Sequence, residues 1–140
     1  LEIIGDGPQR ELLQRQIDDA RLNDKITLSG YCDNVPARMS EADLVIISSH
    51  SEGFPLVLVE ALFYAGVLIS TPVSDAAEIL DPALLADLEK MADKIGEVAG
   101  DYVTFRNRFR AVQEASRGRF TIDSVAKDYA AFYGALSEKK

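Results

Sequence analysis

The sequence predicts an α/β domain: a parallel sheet with helices on both faces, followed by a run of helices. Three observations carry this. Short, apolar, β-branched runs alternate with segments of helical periodicity, the links between them are short, and beyond residue 83 only helical spacing continues. A single domain is expected, with an α/β core over residues 1–80 and a helical part over 83–140.

Residues 1–4 form the first apolar run, ended by Gly5-Asp6-Gly7-Pro8. Pro8 fits the first position of a helix, on which Leu12, Leu13, Gln16, Ile17 and Ala20 follow helical spacing. Asn23-Asp24 is a turn, and residues 25–30 give a second strand around Ile26 and Leu28. Residues 35–41 read as a short helix with Pro36 near its start, and residues 44–48 as a third, buried strand. The helix after it covers residues 55–65, with Leu56, Val59, Ala61 and Leu62 as its apolar positions and Gly66 as its stop. Residues 67–70 are the fourth strand.

Three amphipathic stripes follow: Leu84, Leu88, Met91, Ile95 and Val98; then Tyr102, Phe105, Phe109 and Val112; then Ile122, Val125, Tyr129, Phe132 and Leu136. All three are expected to pack on the sheet as core. Ligands of parallel sheets bind beyond the carboxyl ends of the strands. The turns at 5–7, 29–31 and 49–54 all fall at that edge.

A chain of 140 residues can bury a core of its own, and 47% hydrophobic with 27% charged residues is ordinary for such a protein. The net charge of -8 argues against a general affinity for nucleic acid or anionic lipid. One small anionic ligand stays allowed, because helix N-termini bind phosphate without a local lysine. No apolar run approaches the ~18 residues that span a bilayer, and no signal peptide is recognisable. Cys32 is the only cysteine, which leaves no internal disulfide and suits a cytoplasmic setting. The chain opens inside a strand without a start methionine, so a piece of a longer protein is expected.

The most informative stretch runs from Ser51 through Glu52, Gly53, Phe54, Pro55 and Leu56 to Glu60, Ala61 and Leu62. Gly53 supplies a flexible backbone, and Pro55 opens a helix at a position where its missing N–H costs nothing. Strand, tight polar turn and helix together make an anion site from free N–H groups. Taken singly, Glu52 reads as an acid stabilised by the helix dipole, and Glu60 as a solvated helical glutamate. As a pair flanking Gly-Phe-Pro after a buried strand, they favour binding of sugar hydroxyls on either side of a bound phosphate.

Gly5-x-Gly7-x-x-Arg10 resembles a dinucleotide fingerprint without its third glycine. It reads either as a tight strand-to-helix turn or as a phosphate or substrate contact. His50, the only histidine, reads as a surface or packing residue. No cysteine–histidine cluster exists, so no metal is expected. Ser48, Ser49 and Ser51 lie near His50, but the Gly-x-Ser-x-Gly elbow is missing, which argues against a serine nucleophile.

Gly-Asp-Gly-Pro after a strand, then Ala-Asp-Leu-Val-Ile-Ile-Ser-Ser, then Glu-Gly-Phe-Pro-Leu-Val-Leu-Val-Glu-Ala-Leu resembles the C-terminal, donor-binding half of GT-B glycosyltransferases of the retaining, family 4 type. The resemblance covers about residues 1–80, and Phe120, Tyr129 and Tyr133 fit the family's ending. It implies a Rossmann-like fold and a nucleoside-diphosphate sugar as substrate, without cofactor or metal. It implies that Glu60 binds the donor ribose and that Glu52 contacts the donor sugar at the reaction centre. Gly53, Phe54, Pro55 and Leu56 would hold pyrophosphate and sugar through backbone N–H groups. Gly5 and Gly7 would add donor contacts, and Tyr31 and Cys32 would frame the base.

The sequence departs from the family pattern in three places. The family's first strand of this domain, with its phosphate-binding Arg and Lys, and the whole N-terminal acceptor domain would precede Leu1. The usual glycine pair before a later glutamate reads Ser74-Asp75-Ala76-Ala77-Glu78. The strand expected after that glutamate is missing, as Ile79-Leu80-Asp81-Pro82 runs straight into helix.

The expected function is the donor-binding part of an enzyme that transfers a hexose to a glycan or lipid-linked acceptor in polysaccharide biosynthesis. This chain alone is expected to be inactive. The intact protein is expected in the cytoplasm, with peripheral membrane attachment allowed, and no nucleic-acid partner is expected. The rivals are a nucleotide-sugar epimerase or glycan phosphorylase of the same fold, and a degenerate domain with a structural or interaction role.

Overall fold

The structure, a computed structural model, describes residues 1–137. The chain divides into two compact units, one of Leu1–Val35 and a second beginning at Pro36.

In the first unit, β1 (Glu2–Ile4) leads into α1 (Arg10–Asp19) and returns as β2 (Thr27–Gly30). The two strands pair in parallel, Glu2 opposite Thr27 and Ile3 opposite Leu28. A parallel pair needs a crossover, and α1 supplies it while burying Ile17. The register slips at Ile4, where Gly5 at φ +128° donates its N–H to the Gly30 carbonyl at 2.8 Å. Gly30 itself sits at φ +69°. Both conformations are ones that glycine reaches without steric cost, which is why these turns carry it. Pro8 does not open α1. The Arg10 N–H bonds the Gly7 carbonyl at 3.1 Å, closing a turn through Pro8 and Gln9 before the helix begins.

The second unit begins within α2 (Val35–Glu41) and repeats the strand–helix–strand plan: β3 (Val45–Ile47), α3 (Leu56–Tyr64) and β4 (Leu68–Ser70). β3 and β4 pair in parallel, with Val45, Ile46 and Ile47 opposite Leu68, Ile69 and Ser70. The strands therefore hydrogen-bond as two parallel pairs. All three residues of β4 are buried, which suits a run without polar alternation. α3 buries Leu58, Ala61 and Leu62. α4 (Ala76–Ile79), α5 (Met91–Gly100), α6 (Tyr102–Ser116) and α7 (Ile122–Ser137) complete the order.

α6 packs on α3. Phe109 is fully buried there. Four residues on, Gln113 donates its side-chain N–H to the carbonyl of Ala65 at 3.0 Å, serving an acceptor that the end of α3 leaves free. Arg117 reaches the Leu62 carbonyl in the same way.

Two expectations need correction here. The segment after residue 80 is not helix throughout. Leu85 forms a parallel bridge with Ser70, and the Ala86 N–H donates to the Ser70 carbonyl at 3.0 Å. A trace of strand therefore lies beside β4, between 3-10 turns at Pro82–Leu84 and Leu88–Lys90. The helical spacing of Leu84 and Leu88 hid it, since one bridge is too short to show alternation. The stripe on α7 is not core either. Ile122 is 84% exposed, and Tyr129, Phe132 and Leu136 are exposed as well. Periodicity reports a one-sided helix, not what covers the side.

Asp81 holds this corner together. Its carboxylate accepts the Ala83 N–H at 2.8 Å and pairs with Arg108 at 3.0 Å. The Ala83 N–H holds its pKa below the ordinary value of 3.8; partial burial opposes this, and Arg108 lowers it further. A depressed carboxylate stabilises the fold above its unfolded pKa and ceases to do so as pH falls through the folded one. Asp81→Ala is expected to cost about 0.5–2 kcal/mol at pH 7, as for a lost helix cap. Melting curves from pH 7 to below pH 3.8 check it, because the deficit should shrink as wild-type Asp81 protonates.

Candidate functional site

In the second unit, the loop after β3 and the loop after β4 lie side by side. The Thr71 N–H extends the ladder to the Ile47 carbonyl at 2.9 Å, and its hydroxyl donates to the Ser49 carbonyl at 2.7 Å. Further on, the Ser74 hydroxyl donates to the Gly53 carbonyl at 2.7 Å. The Phe54 ring rests against Phe120, with centroids 6.1 Å apart. These contacts fix the segment that carries Glu52.

Glu52 is exposed, and its Oε1 accepts the Ser49 hydroxyl at 2.6 Å. The bond leaves most of the carboxylate's acceptor capacity free. Gly53 is not in the left-handed region, and a Cβ there would meet nothing within 4 Å. Open space, rather than backbone strain, is what Gly53 contributes.

Pro55 is buried and takes the N-cap position of α3 with φ -77° and ψ 96°. It offers no side-chain cap. The Leu58 N–H closes on the Pro55 carbonyl at 2.9 Å, which leaves the N–H groups of Leu56 and Val57 for water or a ligand, with the positive end of the helix dipole behind them. Leu56 is 71% exposed beside them. Glu60 is the only charged residue among the nine of α3. It is half-buried, and among the described residues its side chain makes no hydrogen bond or ion pair. The segment therefore offers two carboxylates and a row of backbone N–H groups, a set that can accept from hydroxyls and donate to an anion.

The remaining predicted residues lie in the first unit. Gly5 and Gly7 line a cavity of about 310 Å³ with Asp6, Arg10 and Leu28. The Gly7 N–H donates to Asp6 Oδ1 at 2.8 Å, and Arg10 donates to the Leu28 carbonyl at 2.9 Å. Tyr31 is 81% exposed and Cys32 half-buried, just beyond the end of β2. His50 is exposed. Among the described residues, no three His, Cys, Asp or Glu side chains gather as a metal site would need, and no helix is long and apolar enough to cross a membrane.

Sequence reasoning missed Ser49, Thr71, Ser74 and Phe120 as supports of the loop. Ser49 and Glu52 have the Ser-x-x-Glu spacing known from helix starts, which could have drawn attention to the pair. Ser74 adopts φ +43°, a conformation that only the glycine of the family pattern at this position could have announced.

Residues 1–100 match the family model described as glycosyl transferases group 1. The chain belongs to this family. A relative, N-acetyl-alpha-D-glucosaminyl L-malate synthase of Bacillus anthracis, is 26% identical over 139 residues, covering 95% of this chain and 36% of that protein. The 2-deoxystreptamine N-acetyl-D-glucosaminyltransferase of Streptomyces fradiae is 29% identical over 143 residues, covering 95% of this chain and 30% of that protein. The chain thus spans about a third of the length of these curated relatives. Among solved structures, Anabaena HepE in complex with UDP and glucose superposes with a TM-score of 0.85 at 20% identity, over 96% of this chain and 40% of that one. Sucrose-phosphate synthase of Thermosynechococcus elongatus gives 0.84 at 22% identity, over 100% and 39%. The fold is that of the GT-B glycosyltransferases, as the sequence implied.

Proposed function

We propose that this group 1 domain is the C-terminal, donor-binding part of a retaining glycosyltransferase of the family 4 type. The intact enzyme moves a hexose from a nucleoside diphosphate to a glycan or lipid-linked acceptor in polysaccharide biosynthesis. The observation that carries this is the uncapped start of α3 with Glu52 just before it and Glu60, unpartnered among the described residues, along it. That the Anabaena neighbour was crystallised with UDP and glucose supports a nucleotide sugar as the ligand.

In this reading Glu60 accepts hydrogen bonds from the ribose hydroxyls. A carboxylate with no protein partner loses none in doing so, and two vicinal hydroxyls match its two oxygens. The N–H groups of Gly53, Phe54 and Leu56 take the pyrophosphate and the sugar, with Pro55 setting the entry into the helix. Charge that develops on the departing phosphate meets donors already in position, so little reorganisation is needed as the bond breaks. Glu52 holds a donor-sugar hydroxyl and orients the anomeric carbon, while Ser49 keeps its carboxylate from swinging away. The acceptor is held by an N-terminal domain, and no metal or cofactor takes part. The enzyme works in the cytoplasm.

Two features weaken the rival reading as a degenerate domain. Ser74 stands where the family pattern has glycine, yet it adopts the glycine conformation at φ +43°. The strand that the sequence seemed to lack leaves a trace at Leu85, bridged to Ser70.

Isothermal titration of this chain with UDP- and GDP-sugars tests the donor site. Weak, saturable binding is expected, since the chain spans about a third of the length of its relatives. Undetectable binding at millimolar ligand, with native circular dichroism, would exclude a donor site in this domain alone. Retention is tested on the intact enzyme by the anomeric configuration of its product in NMR.

A further inference from the structure

We infer that Ser74 is a positioning residue for the 49–54 loop, working with Thr71 as a two-point hydroxyl clamp; this rests on the donor-binding reading of that loop. The two hydroxyls come from one loop and grip another. Thr71, only 4% exposed, donates to the Ser49 carbonyl, and Ser74 donates to the Gly53 carbonyl, both at 2.7 Å. Glu52 lies between the two gripped carbonyls, held by Ser49 at 2.6 Å.

Packing does not fix the loop at Gly53. Ser51, Glu52 and Gly53 are exposed, and the space a Gly53 Cβ would take is empty. Beside the Phe54–Phe120 contact further on, hydrogen bonds set its conformation. The peptide unit is planar, so the Gly53 carbonyl and the Phe54 N–H share one plane and point in opposite directions. Ser74, by holding that carbonyl, fixes the direction of the Phe54 N–H, one of the donors assigned to the nucleotide sugar. Thr71 does the same for the peptide that joins Ser49 to His50.

The backbone at Ser74 fits this role. At φ +43° a side chain is disfavoured, and glycine would hold the same turn with less strain. Serine at this position brings a hydroxyl to the loop, which glycine cannot.

The test uses the intact protein and two variants, Ser74→Gly and Ser74→Ala. Both lack the hydroxyl, but only glycine relieves the backbone, so a melting temperature at or above wild type is expected for Ser74→Gly. Amide exchange in the 49–54 loop should quicken in both variants and stay unchanged in α6. A loop that is competent only part of the time raises the apparent donor dissociation constant in inverse proportion to the competent fraction. The donor KM, measured with whichever of UDP-glucose and GDP-mannose the wild type uses, should rise roughly three- to tenfold, the equivalent of one hydrogen bond. The acceptor KM should not move. Unchanged loop exchange in Ser74→Gly overturns the clamp whatever the donor data show. Faster exchange with an unchanged donor KM overturns the positioning role. A wild-type protein that binds neither nucleotide sugar overturns the donor reading instead, and the exchange comparison still decides the clamp.

Discussion

Phe109→Ala is expected to lower the stability of the fold by about 3–5 kcal/mol, the range for deleting a buried aromatic ring. Phe109 is fully buried on α6, with Leu58 and Leu62 of α3 and Leu84 also at zero exposure in the same unit. The remaining side chains cannot collapse freely into the space, because Gln113 and Arg117, at and just beyond the end of α6, hold the carbonyls of Ala65 and Leu62 at the end of α3. Since a domain is typically stable by about 5–15 kcal/mol, the loss takes a large share of the total. Urea unfolding should show a lower midpoint with an unchanged slope. Ile122→Ala is the contrast: that side chain is 84% exposed, and an effect within about 0.5 kcal/mol is expected. Similar losses at both positions would mean that the core is not where the structure puts it.

Glu60→Ala is expected to weaken donor binding by about 1.5–3 kcal/mol, roughly ten- to hundredfold, the worth of hydrogen bonds to a charged group. The fold should not suffer, because Glu60 supports no other side chain among the described residues. Titration of wild type and variant with the same nucleoside-diphosphate sugar, alongside a melting curve for each, separates the two effects. A variant with native melting and native donor affinity would remove Glu60 from the site and favour a structural role for the domain.

Much of this could be read from the sequence, for identifiable reasons. The helix at residues 35–41 was legible to the residue, because Pro36 marks its start and the polar break at its end is sharp. The strand at Val45–Ile47, of which only Ile47 is buried, and the helix from Leu56 were legible through β-branching and through Pro55. The segment bearing Glu52 and Glu60 stood out because one short motif encodes strand, turn and helix together. What stayed hidden depends on distant residues. Ser74 and Gly53 are far apart in sequence, and no local pattern predicts that hydroxyl meeting that carbonyl. The bridge at Leu85 is a single residue wide and carries no periodicity. The exposure of Tyr129 and Phe132 is set by what α7 meets, which helical spacing cannot report.

The makeup of α3 sets stability and activity against each other at one position. Eight of its nine residues are uncharged, and Leu58, Ala61 and Leu62 are wholly buried. A half-buried carboxylate is the residue that this helix, judged as a structural part, could most easily do without. Leucine at 60 would match its neighbours and give a protein that expresses well and melts later. Engineering this domain by thermal selection alone would therefore tend to erase its ligand-binding capacity while every measure of folding improved.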